Sequence, residues 1–247
     1  MIERKWRILL KGREQKRRTA MELLFDTANL EQIKTYDRYF PMTGVTTNPS
    51  IFKAEGKVAF FDHLKRMREL IGPERTLHVQ VTADDAQGMI REAHAIHRMV
   101  DNGVYIKVPV TEEGLAAIRA LRGEGVPITA TAVYSQIQAF MAMQAGANYI
   151  APYFNRMENL DIEPRETIAA MRQFIDEAGS DSRIMAASFR NMAQVTSALL
   201  AGAQAVTVQP KLLHDAFGMA AIAKAVEDFK RDWTGVRGDI SIADLTE

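Results

Sequence analysis

The chain has 247 residues, 47% of them hydrophobic and 25% charged, and no cysteine. That composition excludes disordered, collagen-like and disulfide-stapled folds, and with them a thiol nucleophile or a Cys-ligated metal. Net charge is zero, 31 basic residues against 31 acidic, but residues 1 to 20 carry eight basic and two acidic side chains, a net of +6, so the remaining 227 stand at −6. The basic segment, preceding a domain over 21–247, is expected to reflect an upstream start codon or to be a poorly ordered extension. An arm for nucleic acid or an anionic surface is the alternative, in a phosphosugar- or nucleic-acid-binding barrel. No apolar run reaches the roughly 18 residues of a membrane span, so a soluble, cytoplasmic protein is expected, with no membrane partner and no nucleic acid partner for the domain itself.

From Met21 onward short apolar runs alternate with longer amphipathic patterns. Eight runs read as strands: Leu23 to Asp26, Gly44 to Thr47, Leu77 to Val81, Val104 to Val108, Pro127 to Thr131, Tyr149 to Tyr153, Ile184 to Ala187 and Ala205 to Val208. Between the third and fourth, Ala83 to Val100 sets Ala86, Met89, Ile90, Ala93 and Ile96 on one helical face, with Thr82 expected as N-cap. After the fifth, Ser135 with Gln138 predicts a capping box. Gly72, Gly103, Gly125, Gly146, Gly179 and Gly202 sit where helical patterns end, as residues free to adopt a left-handed backbone. A last helix is expected over Ala216 to Trp233. Eight βα units within one domain's length predict a single (β/α)8 TIM barrel of the α/β class. The open doubly wound alternative lacks a glycine-rich fingerprint after the first strand.

Successive strand side chains point to opposite faces. In the fourth strand Val104, Ile106 and Val108 form the apolar face, so Lys107 points at the axis. The same alternation brings Asp26, Thr46 leading to Asn48, Gln80, Thr131, Tyr153 and Ser188 to the C-terminal strand ends, the rim where barrel enzymes hold their chemistry. A buried Lys107–Asp26 ion pair is the bland alternative. Desolvation disfavours an ammonium, and a neutral amine attacks a carbonyl to form an iminium, an electron sink that needs no metal and no cofactor. Asp26 is the carboxylate among these ends and the natural acid/base; Gln80, Thr131 and Tyr153 suit a water that shuttles protons. Of the five histidines, His94 and His97 share a helix but lack a carboxylate arrangement to complete a ligand set, so no metal is expected.

Six motifs, FDTAN (25–29), GVTTNPS (44–50), IKVPVT (106–111), TAVYS (131–135), APYFNR (151–156) and AASFR (186–190), resemble the transaldolase family. The match runs from Met21 to about Trp233 and is most similar to the fructose-6-phosphate aldolase branch. The resemblance implies a class I aldolase that splits fructose 6-phosphate into dihydroxyacetone and glyceraldehyde 3-phosphate. It makes Lys107 the Schiff-base lysine and Asp26 the acid/base, puts Asn48 and Ser188 on the dihydroxyacetone portion, and has Arg156 receive the phosphorylated partner. Transaldolases proper usually carry Glu at the position of Gln80 and Phe at that of Tyr153, so these two residues favour cleavage over transfer. Arg190 resembles the transaldolase version of its segment and is a second candidate for the phosphate, with a surface arginine at a helix start as its structural alternative. A transaldolase moving a dihydroxyacetone unit between phosphosugars in the pentose phosphate pathway is the runner-up. Relatives form pentameric rings and decamers, so a homo-oligomer is expected, its C-terminal helix reaching a neighbour.

Overall fold

The computed structural model describes residues 21 to 245, so the basic segment at 1 to 20 lies outside the described residues. Eight parallel strands close in chain order: β1 (Glu22–Asp26), β2 (Gly44–Thr46), β3 (Thr76–Gln80), β4 (Tyr105–Pro109), β5 (Ile128–Val133), β6 (Tyr149–Pro152), β7 (Arg183–Ala186) and β8 (Ala205–Val208), with β8 returning to β1. All eight predicted strands are present, with ends shifted by a residue or two.

The connecting helices are α1 (Leu30–Asp37), α2 (Pro49–Ala54), α3 (Phe60–Ile71), α4 (Ala86–Met99), α5 (Glu112–Gly123), α6 (Gln136–Gln144), α7 (Phe154–Glu158), α8 (Pro164–Glu177) and α9 (Met192–Leu200). The Ser135–Gln138 capping box opens α6 as expected. The start of α4 differs: Asp85 caps it, its carboxylate accepting the Gly88 N–H at 2.8 Å. Thr82 turns instead to Glu92, donating its amide at 2.6 Å and its hydroxyl at 3.0 Å. Five of the six predicted helix-end glycines have positive φ; Gly103 does not.

Two compact units divide the chain, one up to Pro210 and one from Lys211 onward. The helix expected over 216–233 is two helices, α10 (Pro210–Phe217) and α11 (Ala220–Arg237), separated where Met219 turns to extended backbone at ψ 132°. Among the described residues no helix is long and apolar enough to cross a membrane.

Outward side chains Val104, Ile106 and Val108 are fully buried beneath the helices, whereas Leu24, Tyr149, Ala151, Met185 and Ala205 pack together across the barrel axis. Met185 therefore holds the inward phase of β7, and the alternation that would carry Ala186 to Ser188 is broken by the left-handed backbone of Ser188 (φ 63°). Beneath the rim, fully buried His78 is bonded on both sides, Nδ1 to Thr129 Oγ1 at 2.8 Å and Nε2 to Thr76 Oγ1 at 2.9 Å, and it stacks on Tyr105. Burial, then the nearby Lys107 and Arg68 charges, hold its pKa well below the ordinary value.

The strands that carry the site approach closely at Gly44, where a Cβ would stand 2.1 Å from Thr76 Oγ1 and 2.5 Å from its carbonyl oxygen. The backbone oxygen cannot swing away without loosening the β2–β3 ladder. Gly44→Ala should therefore cost about 1–3 kcal/mol and lower the melting temperature by roughly 2–12 °C; an unchanged melt would show that the strands tolerate separation.

Candidate active site

Lys107 is 3% exposed and enters the barrel from β4. Its Nζ donates to the Thr47 carbonyl at 2.9 Å, and its neighbours across the sheet are Gln80 on β3 and Thr129 on β5. Burial pushes the amine below its ordinary value, and the Asp26 charge opposes that shift. Asp26 ends β1; burial pushes its carboxyl up, against the pull of Lys107 and a hydrogen bond from Thr46. Both shifts favour a neutral amine beside a protonated acid over two buried ions.

Thr46 Oγ1 donates to Asp26 Oδ1 at 2.7 Å and lies 2.6 Å from Thr207 Oγ1. A hydroxyl has a single proton, so Thr207 must be the donor to Thr46. Thr207 was absent from the residues read off the sequence, although it occupies the inward phase of β8 just as Lys107 does on β4.

On the far side of Lys107, Thr131 Oγ1 and Tyr153 Oη are 2.8 Å apart. Their contact depends on a bulge in β5, where Ala130 to Val133 spans the same interval as Ile150 to Pro152 on β6 and Ala132 takes φ 58°. The Arg156 guanidinium lies over the Tyr153 ring, 4.7 Å from its centre, and donates to Tyr134 Oη at 3.3 Å. That bond, the leading cause, raises the Arg156 pKa and keeps it cationic. Tyr134 was also missed by the sequence reading, because past the bulge strict alternation no longer reports which way a side chain points.

Asn48 is the N-cap of α2, its Oδ1 accepting from the Ile51 N–H at 3.0 Å. Its amide group remains to meet a ligand. Next to Asn48 and Gln80 a cavity of about 410 Å³ opens between Phe52, Phe60 and Ile96. Gln80 Oε1 is buried without a hydrogen-bond partner among the described residues. The Ser188 carbonyl receives the Asn155 N–H at 3.0 Å, linking the β7 end to α7. Arg190 is exposed, immediately before the α9 N-cap Asn191, and stands outside these networks. Among the described residues no group of three His, Asp or Glu side chains is placed to hold a metal. His94 pairs with Glu124 and His97 with the Val104 carbonyl.

An axial lysine with a desolvated carboxyl at the C-terminal rim of a closed (β/α)8 barrel defines a class of barrel built for carbonyl chemistry. The family model described as Transaldolase/Fructose-6-phosphate aldolase matches residues 23–240, and the chain belongs to that family. A relative from Streptococcus pneumoniae described as a probable fructose-6-phosphate aldolase is 49% identical over 222 residues, which is 90% of this chain and all of the relative.

The depressed amine has a consequence for stability. Because its folded pKa is the lower one, the unfolded chain binds the extra proton, and stability through this group rises with pH between the depressed value and the ordinary one near ~10.4. Lys107→Met removes the penalty. Thermal melts should place this variant at or above the parent at neutral pH, with the gap closing as the pH approaches about 10; a variant that melts several degrees lower at neutral pH would contradict a desolvated amine.

Proposed function

We propose that this protein is a class I aldolase that reversibly cleaves fructose 6-phosphate into dihydroxyacetone and glyceraldehyde 3-phosphate. The observation that carries the reading is the buried Lys107 amine, pushed toward neutrality beside a carboxyl pushed toward its acid form. Family membership and the description of the pneumococcal relative support the substrate.

In this reading the neutral Lys107 Nζ attacks C2 of the ketose, and Asp26 supplies the proton with which the carbinolamine hydroxyl leaves as water, giving the iminium. The C3–C4 bond then breaks. Its electron pair flows to the iminium nitrogen to form an enamine, while the C4 hydroxyl gives up its proton to the Asp26 carboxylate and C4 departs as the aldehyde of glyceraldehyde 3-phosphate. Protonation of the enamine at C3 and hydrolysis of the imine release dihydroxyacetone and return the amine. Asn48, Thr46 and Ser188 hold the dihydroxyacetone portion, and Arg156 meets the phosphate. Arg190, exposed beside α9, is a second phosphate contact in the proposal.

Tyr153 and Thr131 favour cleavage over transfer. One of their two hydroxyl protons is used between them, leaving the other and the free lone pairs to hold water, with Gln80 Oε1 as a further acceptor. Such a water protonates and hydrolyses the intermediate before an acceptor aldehyde arrives. The cysteine-free composition fits a cytoplasmic enzyme of carbohydrate metabolism. A homo-oligomer fits α11, which buries none of its residues and exposes Ile222, Val226, Phe229 and Val236 at helical spacing. Light scattering should therefore report a multimer, and a monomer would remove that part of the reading.

Borohydride reduction in the presence of dihydroxyacetone should fix a covalent adduct on Lys107, located by peptide mass mapping; an adduct on another lysine, or none, would defeat the Schiff-base mechanism. Tyr153→Phe should slow dihydroxyacetone release by about 10²-fold while leaving transfer to an added aldehyde faster than release. An unchanged ratio of release to transfer would remove Tyr153 from the hydrolytic step.

A further inference from the structure

Tyr134 lies outside the reacting groups yet touches two of them. Its hydroxyl accepts from Arg156 Nη1 at 3.3 Å, and its ring meets that of Tyr153 edge to face, the centroids 5.6 Å apart at 75°. Arg156 closes the triangle by placing its guanidinium carbon over the Tyr153 ring. Each pair in the group is attractive: cation over ring face, ring edge against ring face, hydroxyl to guanidinium.

The backbone of Tyr134 is held independently of that triangle. Its N–H donates to Gln138 Oε1 at 2.8 Å, the same oxygen that receives the Ser135 N–H at 3.0 Å in the capping box of α6. Two residues earlier the bulge at Ala132 turns the chain. The Tyr134 ring is therefore aimed by a helix cap and a bulge, and it aims in turn two side chains of the opposite strand end and α7.

We infer that Tyr134 is a positioning residue that holds the Arg156 guanidinium over Tyr153 and thereby sets the enzyme's preference for phosphorylated over unphosphorylated aldehydes. The inference rests on the aldolase reading. Arg156 is exposed and extends from a five-residue helix, so without an anchor its long side chain would sample many rotamers, and phosphate binding would have to pay for their loss. A guanidinium carries five N–H donors. Tyr134 takes one and Tyr153 takes a face, which leaves the other donors for a phosphoryl group in a fixed orientation. An aldehyde without phosphate makes no use of this arrangement and should be indifferent to Tyr134.

Tyr134→Phe isolates the effect because it keeps the ring and the backbone bonds to Gln138. In the full-length protein, with dihydroxyacetone as donor, the variant should raise KM for glyceraldehyde 3-phosphate about three- to tenfold, the range expected for losing one long, partly exposed charged hydrogen bond. Its kcat and its KM for unphosphorylated glyceraldehyde should stay within about twofold, on the same grounds. Inhibition by inorganic phosphate should weaken by the same factor as KM rises. In an Arg156→Lys background, Tyr134→Phe should add little, since the bond it removes is already altered. Equal losses with both aldehydes, or no change with either, would overturn the inference. Borohydride trapping of dihydroxyacetone on Lys107 in the same variant separates the two claims. A trapped adduct without the difference in KM condemns only the role of Tyr134, whereas loss of the adduct in the parent protein condemns the aldolase reading.

Discussion

The structure turns on keeping one amine out of water at the barrel axis. A buried ammonium has three donors to satisfy and a charge to compensate. Lys107 meets the Thr47 carbonyl and, through space, Asp26, itself pushed toward its neutral form. Water would stabilise the cation far better, so burial disfavours the charged form of the lysine. The Thr47 carbonyl is placed by the β2–β3 ladder, with the Thr47 N–H donating to the His78 carbonyl at 2.9 Å. That ladder in turn depends on the absence of a side chain at Gly44.

Around the lysine the polar groups separate into two networks. On one side β1, β2 and β8 supply Asp26, Thr46 and Thr207, a directed chain in which each hydroxyl proton points toward the carboxyl. On the other, β5, β6 and the segments following them supply Thr131, Tyr153, Tyr134 and Arg156. In the proposed mechanism the first network handles acid/base steps at the nitrogen, and the second handles water and the phosphate. Below both, His78 is hydrogen-bonded at each nitrogen and kept neutral, so the polar floor adds no second charge beside the amine.

Much of this could be read in the chain itself. The alternation in Val104-Tyr105-Ile106-Lys107-Val108 placed Lys107 inward, because a strand's two faces are set by local geometry alone, and the same rule brought Asp26, Thr131 and Tyr153 to the rim. It failed at β7 and past β5, where the left-handed backbones of Ser188 and Ala132 shift the phase without any glycine to announce it. Thr82 stands just before the helical pattern, but Asp85 lies nearer the first turn and a carboxylate competes better for the amide, while Glu92 engages Thr82.

By itself the sequence determined the eight-unit barrel, the inward lysine and the family, since periodicity, caps and motifs act over a few residues. Only the tertiary structure decided the pairing of Thr46 with Thr207, the triangle of Tyr134, Tyr153 and Arg156, the exposed place of Arg190, and the direction in which the Lys107 and Asp26 protons are pushed. Those depend on barrel closure, which brings together groups as distant in the chain as Thr46 and Thr207, 161 positions apart. Burial from all sides, the leading cause of both pKa shifts, has no counterpart in local sequence.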